Sequence, residues 1–181
     1  YKGLASSSIY NGETYDANLF ETDGNADIVT GPPGILYPAV QPYVSIVKEI
    51  PAVNMYKNNQ HNSIVYDFGV NSAGVVKFNV FGLSKGDNIT IKYAEVKQHP
   101  PYGDSNGDLY YANLRTALNT DIYIANGEEK EDEYYKPQFT IHGFRYIEVF
   151  ANKTFTLNDI VKLQINANVK NRSTWKSSDE A

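Results

Sequence analysis

Cysteine is absent from the 181 residues. Its absence removes disulfides, thiolate nucleophiles, iron–sulfur ligation and thiolate zinc sites together, so stability has to come from packing. It leaves the compartment open. No apolar run approaches the roughly 20 residues that span a bilayer. The opening YKGLASSSIY lacks a basic start followed by an apolar stretch, so neither a membrane partner nor a retained signal peptide is expected. Positive charge is also short. Sixteen Lys+Arg against 21 Asp+Glu leave a net charge of -5, which gives a phosphate backbone no broad basic surface and sets nucleic acid aside as a partner.

Side chains that do chemistry are few and scattered. His61, His99 and His142 stand far apart, with none of the i, i+2 or i, i+4 spacings that build a metal site. His142, before Gly143 at the end of an apolar stretch, reads as a hydrogen-bonded structural histidine. Asp104, Asn106 and Asp108 in GDSNGD imitate the first ligands of a calcium loop. The glycine falls at Gly107 and Arg115 stands where the bidentate Glu is needed, so a polar hairpin tip is expected. GxSxG elbows, phosphate loops and dinucleotide fingerprints are all missing. The residues therefore assign no catalytic group, no metal and no cofactor. A glycosidase pair of carboxylates can be distant in sequence. Asp67, Glu95, Asp121 and Glu148 are the candidates on expected strands, each also readable as a solvent-facing or salt-bridged strand residue.

What the chain does have is tyrosine and alternation. Fifteen Tyr and 13% aromatics suit β-structure and sugar-contacting faces alike. Apolar residues alternate over 44–50, 64–68, 75–81, 88–96, 120–125, 138–142, 144–150 and 160–165, which predicts about eight short strands separated by turns. The glycines of GVNSAG, Gly69 and Gly74, predict a tight connection between the second and third. One helical turn is possible at 113–118. The expected fold is all-β, an antiparallel β-sandwich or jelly roll.

Residues 1–43, with ETDGNADIVTGPPG at their centre, are expected to form an extended connection packing on the sandwich of 44–168. The acidic run EEKEDE (128–133) is expected as a solvated loop tip. Residues 169–181 read as the start of a linker, and NRSTWKSSDEA looks cut inside a longer polypeptide. Sequons at Asn88, Asn152 and Asn171 carry no weight in a chain so rich in Asn, Ser and Thr.

Six blocks stand in a fixed order: SSSIYNGETYDAN (6–18), PAVQPYVSIVKEIPAV (38–53), VYDFGVNSAGVVKFNV (65–80), ITIKYAEV (89–96), GDLYYANLRTALNTDIYI (107–124) and FTIHGFRYIEV (139–149). Together they resemble the bacterial-type α-L-rhamnosidases of glycoside hydrolase family 78. YDFG, YAEV, NLRTA and HGFRY carry most of the specificity. The chain departs from the family in lacking a Trp after YDAN, and in Val70 and Val75, where Gln and an aromatic are frequent.

The resemblance implies a concanavalin-like β-sandwich beside an (α/α) catalytic barrel, whose general acid and base have no counterpart here. By resemblance the parent enzyme would hydrolyse terminal α-L-rhamnosides, and this chain alone would be inactive. Such substrates favour an extracellular or periplasmic parent, with the cytoplasm left open. The leading expectation is a non-catalytic accessory domain whose partner is the barrel, contacted through Asn113, Arg115, His142, Arg145 and Tyr146. The alternative is an autonomous module binding rhamnose-containing glycans through tyrosines, with Tyr110 and Tyr111 foremost and Tyr102, Tyr134 and Tyr135 beside them.

Overall fold

The computed structural model describes residues 2–19, 24, 27–170 and 172–178; the sequon at Asn171 and parts of the Gly/Pro-rich and C-terminal stretches lie outside them. The strands are β1 (Leu4–Ser8), β2 (Gly12–Asp16), β3 (Val44–Pro51), β4 (Asn54–Asn58), β5 (Ser63–Asn79), β6 (Asn88–Ala94), β7 (Thr120–Ile124), β8 (Tyr134–Tyr135), β9 (His142–Ala151) and β10 (Ile160–Ala167). Among the described residues only two single-turn 3₁₀ segments, Ala112–Leu114 and Leu157–Asp159, interrupt this all-β pattern. No helix among them is long and apolar enough to cross a membrane.

The strands form one curled sheet in the order β1-β2-β7-β6-β9-β5-β10-β3, with β4 and β8 also paired to β5. Every pairing is antiparallel except β2 with β7. The curl depends on β5. Its first part pairs with β4, its last part with β10 and β8, and β9 runs beside both halves. The sequence predicts two strands here, whereas the structure has a single strand of 17 residues. GVNSAG is a bulge and not a turn: Asp67 faces Tyr146 and Ser72 faces Phe144, so extra residues of β5 are pushed out of the ladder. Gly69 takes φ +75° there, a left-handed conformation that a side chain would oppose.

Alternating side chains fill the inside of the curl. Tyr66, Val76 and Phe78 of β5, Ile89, Ile91 and Tyr93 of β6, Phe144, Ile147 and Val149 of β9 and Ile160 of β10 form the main core. The opposite face carries a smaller cluster of Val65, Ala94, Leu109 and Tyr146, covered by the 97–118 loop and its Tyr111. Phe144 and Ile147 both enter the main core while Tyr146 enters the second. The period of two therefore slips across Arg145–Tyr146, opposite the bulge. QFTIH contributes no strand before His142.

Residues 1–43 differ from the connection expected. They supply β1 and β2, and β2 lies so close to β7 that a Cβ on Gly12 would stand 2.0 Å from the Thr120 carbonyl oxygen. Residues 27–43 then run without strand and are exposed along their whole length, apolar side chains such as Ile28, Leu36 and Val40 included. They are not laid over the sheet. The acidic run is corrected in one residue, because Glu129 is buried. Its carboxylate accepts from Tyr123 OH at 3.0 Å, Asn126 N at 2.8 Å and Gly127 N at 3.0 Å, so it folds the loop back on itself.

Candidate functional site

Glu95 stands just beyond β6, directly over Gly143, whose missing side chain leaves 3.8 Å between an ideal Cβ position and Glu95 Oε1. Asn71, in the β5 bulge, donates to Oε1 at 3.0 Å, and Asn113, in the 3₁₀ turn, donates to Oε2 at 3.1 Å. The half-buried carboxylate of YAEV thus hydrogen-bonds the NSAG and NLR segments and overlies HGF at one place on the surface. The turn ends at Arg115, held at φ +59°, ψ -106°, a strained conformation for a non-glycine residue. Its guanidinium is exposed and has no partner among the described residues. On one side of this turn lies a shallow depression of about 490 Å³ reaching Ser8 and Asn11. On the other, one of about 250 Å³ reaches Glu95 and His142. Ile9, Tyr10 and Leu118 stand 60, 73 and 68% exposed around them.

His142 connects this surface to the interior. Its ring is buried, stacks on Tyr93 with centroids 3.9 Å apart, and sets Nε2 3.1 Å from both oxygens of Asp121. Nδ1 bonds Asn119 Oδ1, and Asn119 Nδ2 donates to the Tyr93 carbonyl at 3.1 Å. Asp121 also accepts from Tyr93 OH at 2.5 Å and from Glu13 N at 2.8 Å. Burial first, and the neighbouring Asp121 second, push the Tyr93 hydroxyl far above its ordinary pKa.

The other expected residues lie elsewhere. Arg145 forks onto Asp67 with Nε and Nη2 at 2.8 and 2.9 Å. Burial opposes the charge on Asp67, but the guanidinium and the Gly69 N–H outweigh it and hold the carboxyl below its usual range. Tyr146 is buried in the second cluster, with Arg145 and Lys97 5.0 and 5.2 Å from its ring centroid. Tyr111 donates to Glu148 at 2.7 Å, and burial followed by that bond raises its hydroxyl pKa steeply. Tyr110 tilts against Tyr102 at 5.9 Å. The structure therefore brings Asn113, Arg115 and His142 to one region and leaves Arg145, Tyr146, Tyr110 and Tyr111 outside it.

The candidate carboxylates are engaged internally. Glu148, fully buried, accepts from Asn58 at 3.1 Å, Ser63 at 2.6 Å and Tyr111, with His61 Nδ1 2.9 Å away. Asp67, Glu95 and Asp121 hold the partners given above. Asp108 and Asn106 bond each other, and Asn58 donates to Asp108 at 2.8 Å. No cluster of three or more His, Cys, Asp or Glu able to hold a metal occurs among the described residues. Asn71 carries no pattern of its own in the sequence, and the exposure of Ile9, Tyr10 and Leu118 is hidden there because they sit among polar neighbours.

A family model described as the bacterial alpha-L-rhamnosidase concanavalin-like domain matches residues 57–166. The chain is 35% identical to an alpha-L-rhamnosidase of Streptomyces avermitilis over 81% of its own length and 14% of that protein. It is 29% identical to one from Formosa agariphila over 96% of its length and 19% of that protein. The solved alpha-L-rhamnosidase from Dictyoglumus thermophilum superposes with a TM-score of 0.79 at 34% identity, covering 94% of this chain and 20% of that one. The chain thus spans between 14 and 20% of the length of these relatives.

Proposed function

The chain belongs to the bacterial alpha-L-rhamnosidase concanavalin-like domain family, and we propose that it is the non-catalytic accessory domain of an α-L-rhamnosidase-like glycoside hydrolase. In this reading a catalytic barrel carried by the same polypeptide hydrolyses terminal α-L-rhamnosides and docks on the Glu95–Arg115 surface. Residues 169–178, exposed where described and without regular structure, would lead toward it.

The observation that carries the reading is the convergence on Glu95. The Glu95 carboxylate hydrogen-bonds two segments distant in sequence and overlies a third, beside an arginine without a partner among the described residues and three exposed apolar side chains. A mixed polar and apolar patch of this kind is what intra-chain domain interfaces present. The length of the relatives supports such an occupant, since about four-fifths or more of each lies outside the matched region.

The test uses the longer polypeptide that carries this chain. Arg115→Ala combined with Leu118→Asp is expected to separate one cooperative thermal transition into two, leaving the isolated chain's Tm unchanged. A single unshifted transition in the double variant would rule out this surface as the docking face.

A further inference from the structure

A second concavity lies apart from the docking surface and shares no lining residue with it. It is a cavity of about 470 Å³ between the ends of β2 and β7 and the 126–138 loop. Three of its tyrosines pack together along one side: Tyr123, buried in the core, lies parallel to Tyr15 with centroids 5.7 Å apart, and Tyr135 tilts onto both at 4.8 and 4.9 Å, so that half-buried Tyr15 and Tyr135 present the aromatic wall to the cavity. Tyr134, 49% exposed, stands at the edge.

The wall is fixed before any ligand arrives. Tyr135 OH bonds buried Glu13, whose other oxygen accepts from Gln138 N and Phe139 N at 3.0 and 2.8 Å. Tyr123 OH bonds buried Glu129, which also closes the Asn126–Gly127 turn. Two buried carboxylates thus hold the near and far ends of the loop, and little conformational freedom is left to lose on binding.

Asn18, Asn126 and Glu133 around this wall are already hydrogen-bonded within the chain, but three other polar groups are open. The side chains of Lys85, Glu128 and Gln138 reach the cavity without a hydrogen-bond or ion-pair partner among the described residues. Charge is balanced there, Lys2 and Lys85 against Glu128 and Glu133, which favours neither an anion nor a cation. A rigid aromatic wall faced by unpartnered amide, carboxylate and ammonium groups suits a ligand with a C–H face on one side and hydroxyls on the other. The volume lies in the range of about 300–1,000 Å³ typical of small-molecule sites.

We infer that this cavity binds a neutral pyranose sugar, with the ring against the tyrosine wall and its hydroxyls on Glu128, Gln138 and Lys85. This adds a glycan contact to the domain and does not depend on the docking surface being correct.

The test is an amide-shift NMR titration of this chain with L-rhamnose, D-galactose and D-glucose to about 50 mM, a range suited to millimolar dissociation constants. At least one sugar is expected to produce saturable shifts centred on residues 123–138. Tyr134→Ala and Gln138→Ala, both at exposed side chains, are each expected to raise Kd about five- to tenfold with unchanged Tm. Arg115→Ala is expected to bind as the wild type, which separates this result from that of the docking experiment. No saturable shift with any of the three sugars, shifts centred elsewhere, or full affinity in both cavity variants would overturn the inference.

Discussion

Tyr93 and His142 lie face to face, 3.9 Å between ring centroids, and both direct a polar atom at the same carboxylate, Asp121. Asp121 lies on β7, Tyr93 on β6 and His142 at the start of β9, and the carboxylate also holds the β2 backbone through Glu13 N. A single buried side chain thereby fixes four strands next to the proposed docking surface.

The consequence is graded. Tyr93→Phe keeps the stack and removes one donor, so it should cost about 1–2 kcal/mol in urea denaturation. Asp121→Ala strips the acceptor from Tyr93, His142 and Glu13 N at once and should cost about 3–5 kcal/mol. Equal losses in the two variants would mean that the carboxylate does not organise the cluster.

The two glycines of GVNSAG separate backbone strain from crowding. Gly69 has φ +75° but open space, with Val53 at 3.5 Å from an ideal Cβ, so Gly69→Ala should cost about 1 kcal/mol through conformation alone. Gly74 has an ordinary backbone, yet its Cβ would stand 2.2 Å from the Leu163 carbonyl oxygen on β10. The β5–β10 pair cannot yield there without breaking its ladder. Gly74→Ala should therefore cost about 3 kcal/mol or more, and a thermal shift smaller than that of Gly69→Ala would contradict the close strand contact.

That pair also shows what the sequence made legible. Alternation identified most of the long strands, because each buries one face, and Ile89, Ile91 and Tyr93 announce theirs plainly. It misread GVNSAG, since a bulge and a turn use the same glycines, and only the pairing of Asp67 and Ser72 with β9 distinguishes them. It passed over β1 and β2, whose stretches LASSS and GETYD have no apolar alternation and are ordered by β7 from outside. Glu129 looked like any residue of an acidic run, because its burial depends on Tyr123 and on the turn it caps. For the site, NLR and HGF were visible as motifs. Their meeting at Glu95 was not, because it depends on the bulge that brings Asn71 across.

Lys162 gives the sharpest dependence on pH. It is fully buried on β10, where its ammonium donates to the Val70 carbonyl at 3.1 Å and to that of Phe144, 4.2 Å from the Phe144 ring centroid. It thus caps the carbonyls beside the β5 bulge. No carboxylate pairs with it among the described residues, and burial lowers its pKa from 10.5 to about 8. Below pH 8 the lysine is charged in both folded and unfolded chains, and the folded state bears a desolvation cost on the order of 3 kcal/mol. From pH 8 toward 10.5 the unfolded chain holds the proton more tightly, so the cost shrinks and stability rises with pH. The tyrosines act oppositely: burial raises Tyr56 to about 12 and Tyr66 further, so unfolded phenols ionise first and stability falls above pH 10. The urea midpoint should therefore climb between pH 8 and about 9.5 and then turn down. Lys162→Met, which removes the titrating group, should abolish the climb while keeping the downturn. A climb of the same size in Lys162→Met would show that another group is responsible.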